Sequence, residues 1–126
     1  MRFRRNERIR RRVEFQHVYE HGVRIHGRYS TLFVAANNIS VGRLGIAATR
    51  KLGGAVERNR AKRLIREVFR RNKIAPGFDV VVVPKRALLD ASLVVLEADY
   101  RHAVERGLRP ARSARGASGP RPASTL

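Results

Sequence analysis

Along the first fifth of the chain the apolar residues Val13, Phe15, Val18 and Tyr19 fall near helical spacing, and the run stops at Gly22. A glycine just past the last periodic residue suits a helix end, so this segment is predicted as a short helix. "RYSTLFVAAN", residues 28–37, changes period: Tyr29, Thr31, Phe33 and Ala35 alternate with Ser30, Leu32, Val34 and Ala36. That is the period of a strand. "RLGIAATR", residues 43–50, is predicted as a second strand, joined to the first by the turn-like "NNISVG". "FDVVVVPKR" holds four consecutive valines and reads as a strand buried on both faces that ends at Pro84. "SLVVLEADYRHAVERG", residues 92–107, has Ser92 as its N-cap and Leu93, Leu96, Tyr100 and Val104 on one side, which predicts a helix.

Between the second strand and the valine strand lies "GGAVERNRAKRLIREVFRR", residues 53–71. At 100° per residue Ala61, Leu64, Ile65, Val68 and Phe69 form one stripe, the face that buries against a sheet. Arg58, Lys62 and Arg66 recur every four residues along one edge of it, with Asn59, Arg63 and Arg70 on the adjoining face. Six arginines and one lysine meet only Glu57 and Glu67 in this helix, so pairing along it does not neutralise the row. Most charge runs are simply solvated faces; this one is sorted, and reads as a phosphate-binding row. Gly53 and Gly54 permit a tight backbone approach at the helix start, where free N–H groups favour an anion. A glycine pair is more often only a turn, and no GxxxxGK[ST] spacing is present. The order helix, strand, strand, helix, strand, helix predicts an α/β sandwich with its sheet covered on at least one face.

Composition narrows the partner. The 126 residues carry 28 Lys+Arg against 10 Asp+Glu, a formal net charge of +18. Such self-repulsion is expected where a polyanion is bound, nucleic acid first and an acidic membrane second. Only four of the basic residues are lysines, Lys51, Lys62, Lys73 and Lys85. Arginine offers a planar fork to phosphate, although a GC-rich genome also raises its share. No stretch approaches the roughly 20 apolar residues of a membrane span, and "MRFRRNERIRRR" lacks the apolar core of a secretory signal. A cytoplasmic protein is expected. Zero cysteines exclude disulfides and thiolate zinc sites, and the four histidines show no HExxH-like spacing. The acids form no DxD or ExxE cluster able to hold two metal ions, so neither a protein-held metal nor a catalytic residue is assigned. From Leu108 onward Pro, Gly, Ala, Ser and Arg dominate, which predicts a disordered basic tail over 108–126. The chain then divides into a basic arm, 1–12, one domain, 13–107, and that tail.

"RKLGGAVERNRAKRLIREVFR" resembles the signature of the bacterial ribonuclease P protein subunit. Lys51, Gly53, Ala55, Val56, Arg58, Asn59, Lys62, Arg63, Arg66 and Glu67 stand at its motif positions. Gly54 departs from it, standing where a polar residue, often asparagine, is common. "EFQHVYEHG" is similar to the family's aromatic first helix and "FDVVVVPKRA" to its last strand, so the resemblance spans roughly residues 5–107. It implies an α+β two-layer sandwich like domain 2 of ribosomal protein S5, with a mixed four-stranded sheet, about three helices and a left-handed βαβ crossover. The pattern alone favours a right-handed one.

The resemblance also implies a function. The family's holoenzyme is a ribonucleoprotein endonuclease that removes the 5′ leader of precursor tRNA, with Mg²⁺-dependent hydrolysis performed by a catalytic RNA and the protein as its subunit. By this resemblance Arg58, Asn59, Arg60, Lys62, Arg63 and Arg66 bind the RNA subunit. Phe15, Tyr19 and Phe33 line a cleft for the single-stranded leader, whose phosphates Arg50 and Lys51 would hold. From the pattern alone the three aromatics read first as ordinary core. No membrane and no obligate protein partner are expected. Two rivals share the charge: a ribosomal protein, and a protein-only nuclease or nucleoid protein.

Overall fold

The computed structural model describes residues 5–117. Helix α1 spans Arg12–His21, strand β1 Val23–His26, β2 Ser30–Ala36, β3 Arg43–Ile46, helix α2 Ala55–Arg71, β4 Phe78–Pro84 and helix α3 Leu93–Ala117. The strands form one sheet in the order β1-β2-β4-β3. β1 and β4 both run antiparallel to β2, and β3 runs parallel to β4. Parallel neighbours cannot be joined by a tight turn, and α2 is the crossover between them. The result is the mixed α+β sandwich that the resemblance implies.

β4 shows how one strand serves two layers. Val80 and Val82 join Leu32 and Val34 of β2 in a core with Ile65, Val68 and Phe69 of α2 and Tyr100 and Val104 of α3. Val81 points the other way, with Ala35 of β2, Val18 of α1 and Ile9. The run of valines is therefore buried on both faces, as its lack of alternation predicts.

Three boundaries differ from the pattern. β1 escapes it, because four residues, V-R-I-H, between Gly22 and Gly27 are too few to stand out beside the preceding helix. β3 stops at Ile46, so Arg50 and Lys51 lie on a 3-10 turn, Arg50–Leu52, rather than ending a strand. α3 runs past Gly107 to Ala117, with Leu108 and Ala111 buried, so residues 108–117 are helical where a disordered tail was expected. Gly107 reads as a helix end but has another purpose. A Cβ there would lie 2.9 Å from Val34 Cγ2, so the glycine permits α3 to approach β2 closely. The remaining tail, 118–126, and residues 1–4 of the arm lie outside the described residues.

The rest of the arm is docked. Ile9 N–H donates to the Leu44 carbonyl at 2.9 Å, and Arg8 bridges in parallel to Leu44. Glu7, almost fully buried, meets Lys73 Nζ at 2.6 Å. This covers the otherwise free edge of β3.

Candidate nucleic-acid interface

On the face bearing Val81, the register lays residues out in lines across the strands. Arg24, Phe33, Val81 and Gly45 form one line; Ala35, Asp79 and Arg43 form the next on one side, and His26, Thr31 and Val83 on the other. Helix α1 covers the first part of this grid. Val18 packs on Ala35 and Val81, and Phe15 sits so close over Gly45 that a Cβ there would be 2.8 Å from its Cε1. Arg24 and His26 stay exposed, and Phe33 and Val83 are half-buried.

Between α1 and the outer part of the sheet the three aromatics expected to line a cleft come together. Tyr19 stands edge-on to Phe33 with ring centroids 4.9 Å apart, and Phe15 lies 6.4 Å from Tyr19. Tyr19 keeps 39% of its surface exposed, so this cluster is not sealed core. Burial pushes its phenol above the usual range. The Arg24 guanidinium lies 5.9 Å from the Phe33 centroid, adding a cation to the platform. Half-exposed rings flanked by cations suit stacking of unpaired bases, which is tolerant of sequence because every base has a π-face. Arg50 and Lys51, both exposed, follow β3 at the end of the sheet where Val83 and His26 lie.

The position of α1 depends on a polar network. Arg43 holds Asp79 with two bonds, Nε–Oδ1 at 2.8 Å and Nη2–Oδ2 at 2.7 Å, and reaches Glu14 of α1 at 3.1 Å. Asn37 donates to the same Asp79 carboxylate. The hydrogen bond to Asp79 raises the Arg43 pKa against the effect of burial. Burial pushes the Glu14 carboxyl up, but the N–H groups of Arg11 and Arg10 and the Arg43 guanidinium outweigh it and hold it below its usual value. Glu14 thus caps its own helix and ties it to the sheet.

The basic row lies on α2. Ala61, Ile65, Val68 and Phe69 are buried as its spacing predicts, leaving Asn59, Arg63 and Arg66 exposed. Gly53 takes φ 145°, a conformation that favours glycine, and its carbonyl accepts from Arg58 Nη1 at 2.9 Å. Gly54 N–H donates to Glu57 Oε1 at 2.9 Å, so one of the two acids is spent on the helix start. The other, Glu67, pairs with Arg70. Lys62, Arg63 and Arg66 form no ion pair among the described residues. Arg60 is separated from them: it turns to the opposite edge of α2 and donates to the Leu89 carbonyl at 3.2 Å.

Row and cleft meet across the edge of β3. One groove is lined by Phe15 on the cleft side, Lys62 and Arg66 on the α2 side, and Arg8 and Arg10 of the arm. Burial, and secondarily the charge of Arg8, lowers the Arg66 pKa. Sequence reading did not single out Arg8, Arg10, Arg24 or His26. The alternation in V-R-I-H carried the signal for the last two; nothing in the arm's sequence said where it docks.

Among the described residues no group of three or more His, Cys, Asp or Glu is placed to hold a metal ion, and no helix is long and apolar enough to cross a membrane. The family model for Ribonuclease P matches residues 3–107. A ribonuclease P protein component from Thermotoga maritima is 42% identical over 88 residues, covering 68% of this chain and 75% of the relative. One from Clostridioides difficile is 32% identical over 109 residues, covering 84% and 96%. Among solved structures, the Thermotoga maritima RNase P protein superposes with a TM-score of 0.72 at 34% identity, covering 79% of this chain and 96% of that one. The Staphylococcus aureus RNase P protein gives 0.69 at 31%, covering 79% and 93%. Motif, fold and relatives converge, and the chain belongs to the ribonuclease P protein family.

Proposed function

We propose that this protein binds the catalytic RNA of ribonuclease P through the α2 row and the 5′ leader of precursor tRNA through the aromatic cleft, promoting Mg²⁺-dependent removal of the leader in the cytoplasm. The observation that carries this reading is the aromatic cluster: partly exposed Tyr19 and Phe33 rings, edge to face at 4.9 Å, with Phe15 beside Tyr19 also lining a groove with Lys62 and Arg66. A single-stranded leader laid on the rings would leave its phosphates to Arg50 and Lys51, while Arg58, Asn59, Arg63 and their neighbours on α2 face the structured RNA. Arg60, held by the Leu89 carbonyl, is the weakest member of that set.

Among the described residues no group of three or more His, Cys, Asp or Glu is placed to hold Mg²⁺, and the metal is assigned mainly to the RNA subunit. Glu7 is committed to Lys73, Glu14 and Asp79 to Arg43, and Glu67 to Arg70. What the chain contributes to the reaction is binding and orientation.

The test is multiple-turnover cleavage of a precursor tRNA at low Mg²⁺ by a bacterial ribonuclease P RNA, with and without the protein. Restored cleavage at the mature 5′ end, with no activity from the protein alone, supports the reading. Binding that leaves cleavage unchanged would favour a ribosomal-type RNA clamp instead. Replacing Arg58, Lys62 and Arg66 by alanine should lower the log–log salt slope of RNA-subunit binding by about 2–3, at about 0.7–0.9 per lost phosphate contact. An unchanged slope would remove α2 from the interface.

A further inference from the structure

The second half of α3 is a cationic surface that neither the α2 row nor the cleft includes. The family match ends at residue 107, yet the helix continues to Ala117. Its extension is seated on the domain: Leu108 and Ala111 are buried, and the Arg112 guanidinium lies 5.8 Å from the Phe78 centroid. Pro110 falls on the exposed side, where a proline lets a helix curve around the body it packs against. The outward positions are therefore held in register. From residue 101 to 113 they carry Arg101, His102, Glu105, Arg106, Arg109 and Arg112, four arginines against one glutamate. Of the nearby acids, Glu97 pairs with Arg71 of α2, and Asp99 interacts with His102 and Lys85. Arg106 and Arg109 form no ion pair among the described residues.

We propose that the exposed face of α3 around Arg106, Arg109 and Arg112 is a second docking surface for the phosphate backbone of the ribonuclease P RNA, separate from the α2 row. This rests on the function proposed above. Two observations favour the RNA subunit over the precursor. α3 packs on the same face of the sheet as α2, opposite α1 and the cleft. The two helices are also joined directly, through Arg71–Glu97 at 2.9 Å and Arg101 Nη1 to Asn72 Oδ1 at 3.0 Å, so the surface continues the helical layer that bears the RNA-binding row. Unpaired guanidinium forks on a rigid helix suit phosphate oxygens and carry no base preference.

The test uses the full chain and a bacterial ribonuclease P RNA, with affinity measured across a salt series. Arg106→Gln with Arg109→Gln removes two exposed, unpaired charges and should leave the melting temperature unchanged. It should lower the log–log salt slope by about 1.4–1.8, and this loss should add to that of the α2 alanine variant. If the α2 variant loses slope and the α3 variant does not, the second surface is overturned while the proposed function stands. If neither changes, the RNA-subunit reading falls and takes the second surface with it. The chain has no cysteine, so Ser113→Cys and Asn59→Cys each give one attachment point for an iron chelate that cuts nearby RNA. Cuts in the ribonuclease P RNA from position 113, at sites not cut from position 59, support the proposal; cuts confined to the precursor tRNA overturn it.

Discussion

The two faces of the sheet differ in composition and in cover: one is aliphatic, and the other mixes Phe33, Val81 and Val83 with Arg24, His26, Arg43 and Asp79. Against α2 and α3, Leu32, Val34, Val80 and Val82 are essentially sealed. Against α1, Phe33 and Val83 remain half-buried and Tyr19 is exposed, though Val81 beside them is sealed as well. Coverage widens the difference. Two long helices, of 17 and 25 residues, roof one face, and one helix of 10 residues crosses the other. Hydrophobic side chains stay open to solvent where the fold runs out of helix to cover them.

The severest way to break this comparison is to release α1. Asp79→Ala strips Arg43 of its bidentate partner beneath the helix and should cost about 2–3 kcal/mol in urea unfolding, because two charge-assisted hydrogen bonds to a nearly buried carboxylate are lost and Arg43 keeps Glu14 alone. Leader binding should fall with it. If stability barely moves, Arg43 is not what seats the helix. Next comes the platform itself: Phe33→Ala should weaken binding of a leader-bearing precursor by about 1–3 kcal/mol while leaving mature tRNA unaffected. Equal losses for both RNAs would mean that the cleft face is ordinary core.

Smaller effects sharpen the contrast. Tyr100 lies in the sealed face, and its hydroxyl is buried without a hydrogen-bond partner among the described residues. Tyr100→Phe should therefore raise stability by about 1 kcal/mol, read as a higher urea midpoint. A loss would show that the hydroxyl is satisfied. The smallest effect is acid-dependent. Glu14 has a folded-state pKa below its ordinary value, so its stabilising contribution is complete above the unfolded value, about 4.3, and is lost as pH falls through the folded one. Glu14→Gln should flatten the acid limb of the stability curve below about pH 4 and leave its neutral region sloped as before.

Much of this was legible in local pattern. The buried stripe of α2, the two-sided burial of β4 and the sorting of Arg58, Lys62 and Arg66 all follow from periodicity, because each reports which side of one element faces the interior. The grouping of the three aromatics was legible only through the family resemblance. Phe15, Tyr19 and Phe33 have spacings that ordinary core residues also have, and no spacing states how far α1 extends over the sheet.

What the amino-acid sequence determined alone is the set of elements with strong periodicity, the excess of positive charge and the family motif on α2. Tertiary structure decided the rest. It turned Gly107 from an apparent helix end into a contact point with Val34, laid Arg8 and Ile9 along β3, turned Arg60 away toward Leu89, and set Arg24 over Phe33. Each of these joins residues far apart in the chain, or depends on a neighbour that the local sequence does not name. Periodicity records burial along one element; it holds no information about which element lies opposite.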